Sequence, residues 1–89
     1  MVAVQLTIEP KRVDAALEEA RAMLKKADGG MVLDFTAVPR LAAADIRALE
    51  ELASVAGEKG VRIVLRGAGS NLYKVLKLMK LSSRFGFAN

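Results

Sequence analysis

Residues 31–49 read MVLDFTAVPRLAAADIRAL, and the fold turns on this stretch. Met31-Val32-Leu33, with Phe35 just beyond Asp34, is a short run of apolar residues with no polar alternation until its end, which predicts a strand. Strands of this kind are usually covered on both faces. Pro39 and Arg40 lie in a loop that begins at Thr36 and breaks the pattern. From about Ala43 to Gly57 the period changes to that of a helix. Ile46, Leu49, Leu52, Ala53 and Ala56 form its inner face, and Arg47, Glu50, Glu51, Ser54 and Glu58 its outer face.

Outward from this unit the alternation repeats. Downstream, Gly60 stops the helix. Val61, Ile63 and Leu65 then predict a third strand, with Arg62 and Arg66 turned away. Gly67-Ala68-Gly69 is a loop, and Ser70 or Asn71 is a suitable N-cap for a third helix. Its apolar stripe is Leu72, Val75, Leu76 and Met79. Phe85 and Phe87 alternate across Gly86 as a last short strand or docked tail. Upstream, Gly29-Gly30 is expected to end a helix whose apolar positions are Val13, Ala16, Leu17, Ala20, Leu24 and Ala27. Pro10 starts that helix. Before it, Val2, Val4, Leu6 and Ile8 alternate with Ala3, Gln5 and Thr7 as a half-buried strand. The order β-α-β-α-β-α predicts a single α/β domain over residues 1–89, with right-handed crossovers.

Composition narrows the chemistry. The chain has 89 residues, 53% of them hydrophobic, with three Phe, one Tyr, and neither Cys nor His. That content supports an aliphatic core and rules out a disordered chain. Without Cys there is no disulfide framework or thiolate metal site, and without His the commonest general base and metal ligand is missing. No catalytic constellation, metal motif or cofactor fingerprint stands out. Gly67-Ala68-Gly69-Ser70 lacks the lysine of a P-loop and the third glycine of a dinucleotide fingerprint, so a tight turn accounts for it better than a cofactor site. The sequence therefore gives no basis for an enzyme or a cofactor. No apolar run reaches the roughly 20 residues of a membrane span, and no signal peptide is visible. A cytoplasmic location is expected.

Charge is unevenly distributed. Residues 1–58 carry seven Lys/Arg against ten Asp/Glu, net −3, whereas residues 59–89 carry seven Lys/Arg and no acid, net +7. Lys74, Lys77 and Lys80 are spaced by three and should share one side of the third helix, with Arg84 just beyond. A solvated helix face is the plainer reading of this basic surface. The functional reading is a surface for an acidic protein or an anionic membrane. Nucleic acid is the least favoured partner, because Tyr73 is the only aromatic among these residues and no binding motif appears.

Three segments together resemble the STAS domain family, which includes bacterial anti-sigma-factor antagonists and the tails of sulfate transporters. Met31–Asp34 followed by Phe35-Thr36-Ala37-Val38 is similar to the family's apolar strand ending in D-L-S-G-V. Leu49–Leu65 is similar to its "LEELA…A…KGVRIVL" helix and strand. Val75-Leu76-Lys77-Leu78 with Leu81 and Phe85 is similar to its closing "VLELTGL…F". The resemblance covers roughly residues 31–85. It implies an STAS-like α/β fold: a small sheet of about four strands with three to four helices packed mainly on one side.

The family's D-S-S-G quartet at the helix start is replaced by Ala42-Ala43-Ala44-Asp45. Its phosphorylated serine falls on Ala43, which has no hydroxyl. A phosphate there would add roughly −1.5 to −2 charges to a partner-binding surface. Here Asp45 supplies one fixed charge, most simply a helix-stabilising one. Asp34 is expected to brace the loop with its carboxylate, and Thr36 is the hydroxyl nearest the lost serine. The resemblance implies a non-enzymatic protein–protein interaction module acting in transcription regulation without phosphorylation. Its partner would be a kinase-like anti-sigma factor, bound through Asp34, Thr36, Arg40, Ala43, Asp45 and Arg47. The alternative is an accessory subunit on the ATPase of an ABC-type lipid transporter. The family usually has an additional strand in a hairpin ahead of this one, so the first strand is expected to be an exposed edge, which leaves a homodimer open.

Overall fold

In the computed structural model, residues 4–26 and 29–88 are described. Four strands, β1 (Val4–Thr7), β2 (Gly30–Asp34), β3 (Arg62–Arg66) and β4 (Gly86–Ala88), form one sheet in the order β1-β2-β3-β4, with every neighbouring pair parallel. Three helices, α1 (Val13–Met23), α2 (Ala43–Lys59) and α3 (Ser70–Leu78), make the crossovers. Each crossover steps one strand in the same direction. Right-handed connections of that kind deposit all their helices on one face of the sheet. The expected α/β class and one-sided packing are what the structure shows.

The register explains which residues are buried. Met31 and Leu33 of β2 lie beside Ile63 and Leu65 of β3 and face the helices. They pack with Leu17, Ala20 and Leu24 from the α1 segment, with Leu49, Leu52 and Ala56 of α2, and with Leu72 and Leu76 of α3 in one continuous core. Phe35 and Leu65 have no exposed surface. No polar or charged side chain is buried among the described residues. Between α1 and α2 the exposed ion pair Arg21–Glu51 spans 3.3 Å, a contact that adds little at this level of exposure.

Several expectations are corrected. The run Met31–Leu33 is not covered on both faces. Val32 points away from the helices between Gln5 and Val64, and is only half-buried, because no crossover reaches that side. The open face is partly shielded by Arg62. Its guanidinium lies over Gly86, where an added Cβ would be 3.4 Å from its nitrogens. Gly30 does not cap the first helix. It opens β2, and α1 ends earlier, with Leu24 as its C-cap. Neither Ser70 nor Asn71 caps α3; the N-cap is Gly69, without a side-chain bond. Met79 is half exposed rather than part of the buried stripe, and Leu81 is buried in its place. Val2, Ala3 and Ala27, assigned above to the first strand and helix, lie outside the described residues.

Helix ends account for the last of these changes. α2 stops at Gly60, which has φ +70, and the Val61 N–H then bonds the Ala56 carbonyl at 2.9 Å. α3 uses the same closing turn with Lys80 at φ +61, and the Leu81 N–H reaches the Leu76 carbonyl at 2.8 Å. This is the left-handed termination that usually takes glycine. It turns the chain after Met79 and swings Leu81 into the core.

Candidate functional site

In a parallel sheet every helix begins near the carboxyl end of the strand before it. The loops after β2 and β3 therefore meet at one end of the molecule, where Asp34, Thr36, Arg40, Ala43 and Asp45 lie. The ladder continues past the strands: the Ile8 N–H bonds the Asp34 carbonyl at 2.9 Å, Phe35 N–H bonds Arg66 at 2.8 Å, and Gly67 N–H bonds Ala88 at 3.0 Å.

Asp34 braces the first of these loops. Its Oδ1 accepts the Thr36 N–H at 2.9 Å and also the Thr36 hydroxyl. The Thr36 hydroxyl bond, then the Thr36 backbone bond, and to a lesser extent the charge of Arg66, hold the Asp34 carboxyl below its ordinary value against a small opposing cost of desolvation. Thr36 in turn rests on Gly67, whose φ is +69. A Cβ at Gly67 would fall on the Thr36 hydroxyl oxygen and 3.0 Å from Thr36 Cα. Only glycine satisfies both the left-handed backbone and the close approach.

The α2 start carries the substituted quartet. Ala42 is the N-cap in extended conformation and offers no side-chain acceptor. Asp45, three residues on, provides the return half of a capping box: its Oδ2 accepts the Ala42 N–H at 3.1 Å. The charge anticipated at Asp45 thus has a local bond that accounts for its place. Ala43 and Ala44 are exposed in the first turn.

Arg40 does not stand alone on the loop. With Pro39 and Leu41 it forms one wall of a cleft of about 400 Å³, completed by Ile46 of α2 and by Asn71, Leu72, Lys74 and Val75 of α3. Leu41, Ile46 and Val75 are half-buried and Leu72 is buried, so the floor is apolar; Arg40 and Lys74 are exposed at the rim. No acidic residue lines it. Arg47 is exposed farther along α2 and is not part of the lining.

The residues of the predicted basic stripe border different grooves. Lys74 belongs to the cleft, and Lys77 is exposed on α3. Lys80 lies beyond the helix end, and with Arg84 it borders a different groove, opposite Glu50 and Glu51 of α2. Acids distant in sequence thus stand across from half of the basic residues. Sequence reading missed the joining of Lys74, Asn71 and Val75 to the loop at Arg40. It also missed the seating of Thr36 on Gly67, for which the glycine itself was the only signal.

A family model for the STAS domain matches residues 9–89. A search of curated proteins gives no significant match. Among solved structures, a sulfate transporter family protein from Wolinella succinogenes is similar in fold, with a TM-score of 0.79 at 19% identity over 97% of this chain and 75% of that one. The sheet order, the helices on one face and the family match over nearly the whole length lead to one conclusion: the chain belongs to the STAS domain family, a family of protein-interaction modules.

Proposed function

We propose that this domain is a non-catalytic binding module that engages a regulatory protein constitutively, without phosphorylation of its helix start. The observation that carries this reading is the combination at α2 of an intact brace and an absent hydroxyl. Asp34, Thr36 and Gly67 hold the loop in place, while Ala43 occupies the switch position. No Ser, Thr or Tyr occurs from residue 37 to residue 53. Thr36 is a poor substitute acceptor, because its hydroxyl donates to Asp34 and packs on Gly67. With no hydroxyl at the helix start, release would depend on the abundance of the partner.

The proposed partner is a kinase-like anti-sigma factor, and the contact surface is the loop from Thr36 to Leu41 with the first turn of α2. The test is affinity capture from the native cell extract, with intact mass measured after incubation with the captured proteins and ATP. Capture of a kinase-like regulator with the mass unchanged is expected. A mass increase of one phosphate would overturn the phosphorylation-independent part. A second reading, an accessory subunit on a transporter ATPase, rests on the same missing hydroxyl, since a permanent subunit contact needs no switch. Capture of an ATPase with no sigma-linked protein would favour it.

A further inference from the structure

We infer that the cleft between the α2 start and α3 receives an acidic segment of the partner protein, with one apolar side chain inserted between Arg40 and Lys74. The inference rests on the interaction-module reading and adds the chemistry of the partner and the participation of α3. The cleft volume of about 400 Å³ is ample for one large apolar side chain and its backbone. The side chains of the floor, Leu41, Ile46, Leu72 and Val75, offer no hydrogen-bonding group, and Asn71 is the one neutral polar side chain of the lining, so the floor favours an apolar insert.

The rim selects charge. Arg40 and Lys74 come from opposite walls, and neither forms an ion pair among the described residues. Lys80 and Arg84 share their groove with Glu50 and Glu51, so the charge there is mixed in sign, whereas no acid lines the cleft. The cleft therefore presents two cations with no acid in its lining. Arg40 suits a carboxylate held by two parallel hydrogen bonds, and Lys74 one held as a point charge. A segment with a leucine or phenylalanine flanked by aspartates or glutamates meets floor and rim together. An apolar core with a charged rim is the usual division of labour at a binding surface.

The experiment uses the full chain, isotopically labelled, titrated with a synthetic acidic peptide in which one phenylalanine is flanked on both sides by pairs of aspartates. Matched probes are the same peptide with asparagines for aspartates, the acidic peptide with serine for phenylalanine, sodium dodecanoate and inorganic phosphate. Amide shifts in the acidic peptide titration should concentrate at Leu41, Ile46, Leu72 and Val75. The neutral and serine peptides should each bind at least about tenfold more weakly. The double variant Arg40→Glu/Lys74→Glu, whose sites are both exposed, should keep the folded spectrum and lose the acidic peptide by a similar factor. Absence of peptide binding, equal binding of the neutral peptide, shifts elsewhere, or binding of dodecanoate or phosphate instead of the peptide would each overturn the inference. Affinity capture separates the two levels. A regulator captured equally by the wild-type chain and the double variant leaves the module reading standing and sinks the cleft. Capture of no partner by the wild-type chain counts against the module itself.

Discussion

The two faces of the sheet obey different rules. On the helix-covered face, Met31, Leu33, Ile63 and Leu65 are almost wholly removed from solvent. On the other, Val32 and Val64 are half-buried between Gln5, Arg62 and Arg66. Both faces belong to the same strands, and adjacent residues differ only in which way they point. Stability should therefore be concentrated on one face, leaving the other free to vary. The candidate site lies at neither face but at the carboxyl end of the strands, where backbone fit decides more than burial.

The sharpest way to break that comparison is a pair of adjacent truncations. Leu33→Ala should cost about 2–5 kcal/mol in denaturant unfolding. Val32→Ala, one residue away on the open face, should cost about 1 kcal/mol or less. Equal losses would mean that the open face is as tightly packed as the closed one. Next in size is Gly67→Ala at the strand end. The left-handed backbone alone should cost roughly 1–2 kcal/mol, and the overlap with Thr36 adds to it. Combining it with Thr36→Ala relieves the hydroxyl overlap and should recover part of the loss; full additivity of the two losses would place the strain elsewhere.

A smaller effect is expected where the open face meets Arg62. Gly86→Ala brings a Cβ to 3.2 Å from Val64 and 3.4 Å from the Arg62 guanidinium. The Val64 methyl need give only a few tenths of an ångström and the arginine can move aside, so thermal unfolding should change by less than about 1 kcal/mol. A large loss would show that Val64 or Arg62 is fixed in place on this face.

The smallest expected effect is a titration. Because folding lowers the Asp34 pKa, the unfolded chain binds more protons between the folded and ordinary values. Stability from this group is therefore complete above the ordinary carboxylate value and is lost as pH falls through the folded one. Carboxyl carbon shifts should report a lowered Asp34 titration. Thr36→Ala should move it back toward the ordinary value while retaining the backbone N–H bond. No change in that variant would remove the hydroxyl as the leading cause.

Much of this molecule was legible from residue order. The change from continuous apolar residues at Met31–Leu33 to helical spacing after Ala43 gave the alternation of strand and helix. The loop-bracing role of Asp34 was legible because its partner Thr36 is two residues away, and the alanine in place of a serine at Ala43 was legible only through the family resemblance. Misread were the helix ends around Met23 and Met79. At α3 a left-handed turn overrode the apolar period, with Lys80 in a position normally read as glycine, whereas α1 closed at Leu24 in right-handed conformation, ahead of the glycines.

The sequence by itself determined the strands, the helices, the aliphatic core and the absence of a phosphoacceptor at the α2 start, since each is a matter of local period or side-chain identity. The tertiary structure alone decided which face of β2 would be left open, that Gly67 would seat Thr36, and that Arg40 and Lys74 would share a cleft while Lys80 and Arg84 bordered a groove with Glu50 and Glu51. The physical reason is register. Pairing Asp34 with Arg66 and turning every crossover the same way brings together residues more than 30 positions apart, and no period along the chain encodes that distance.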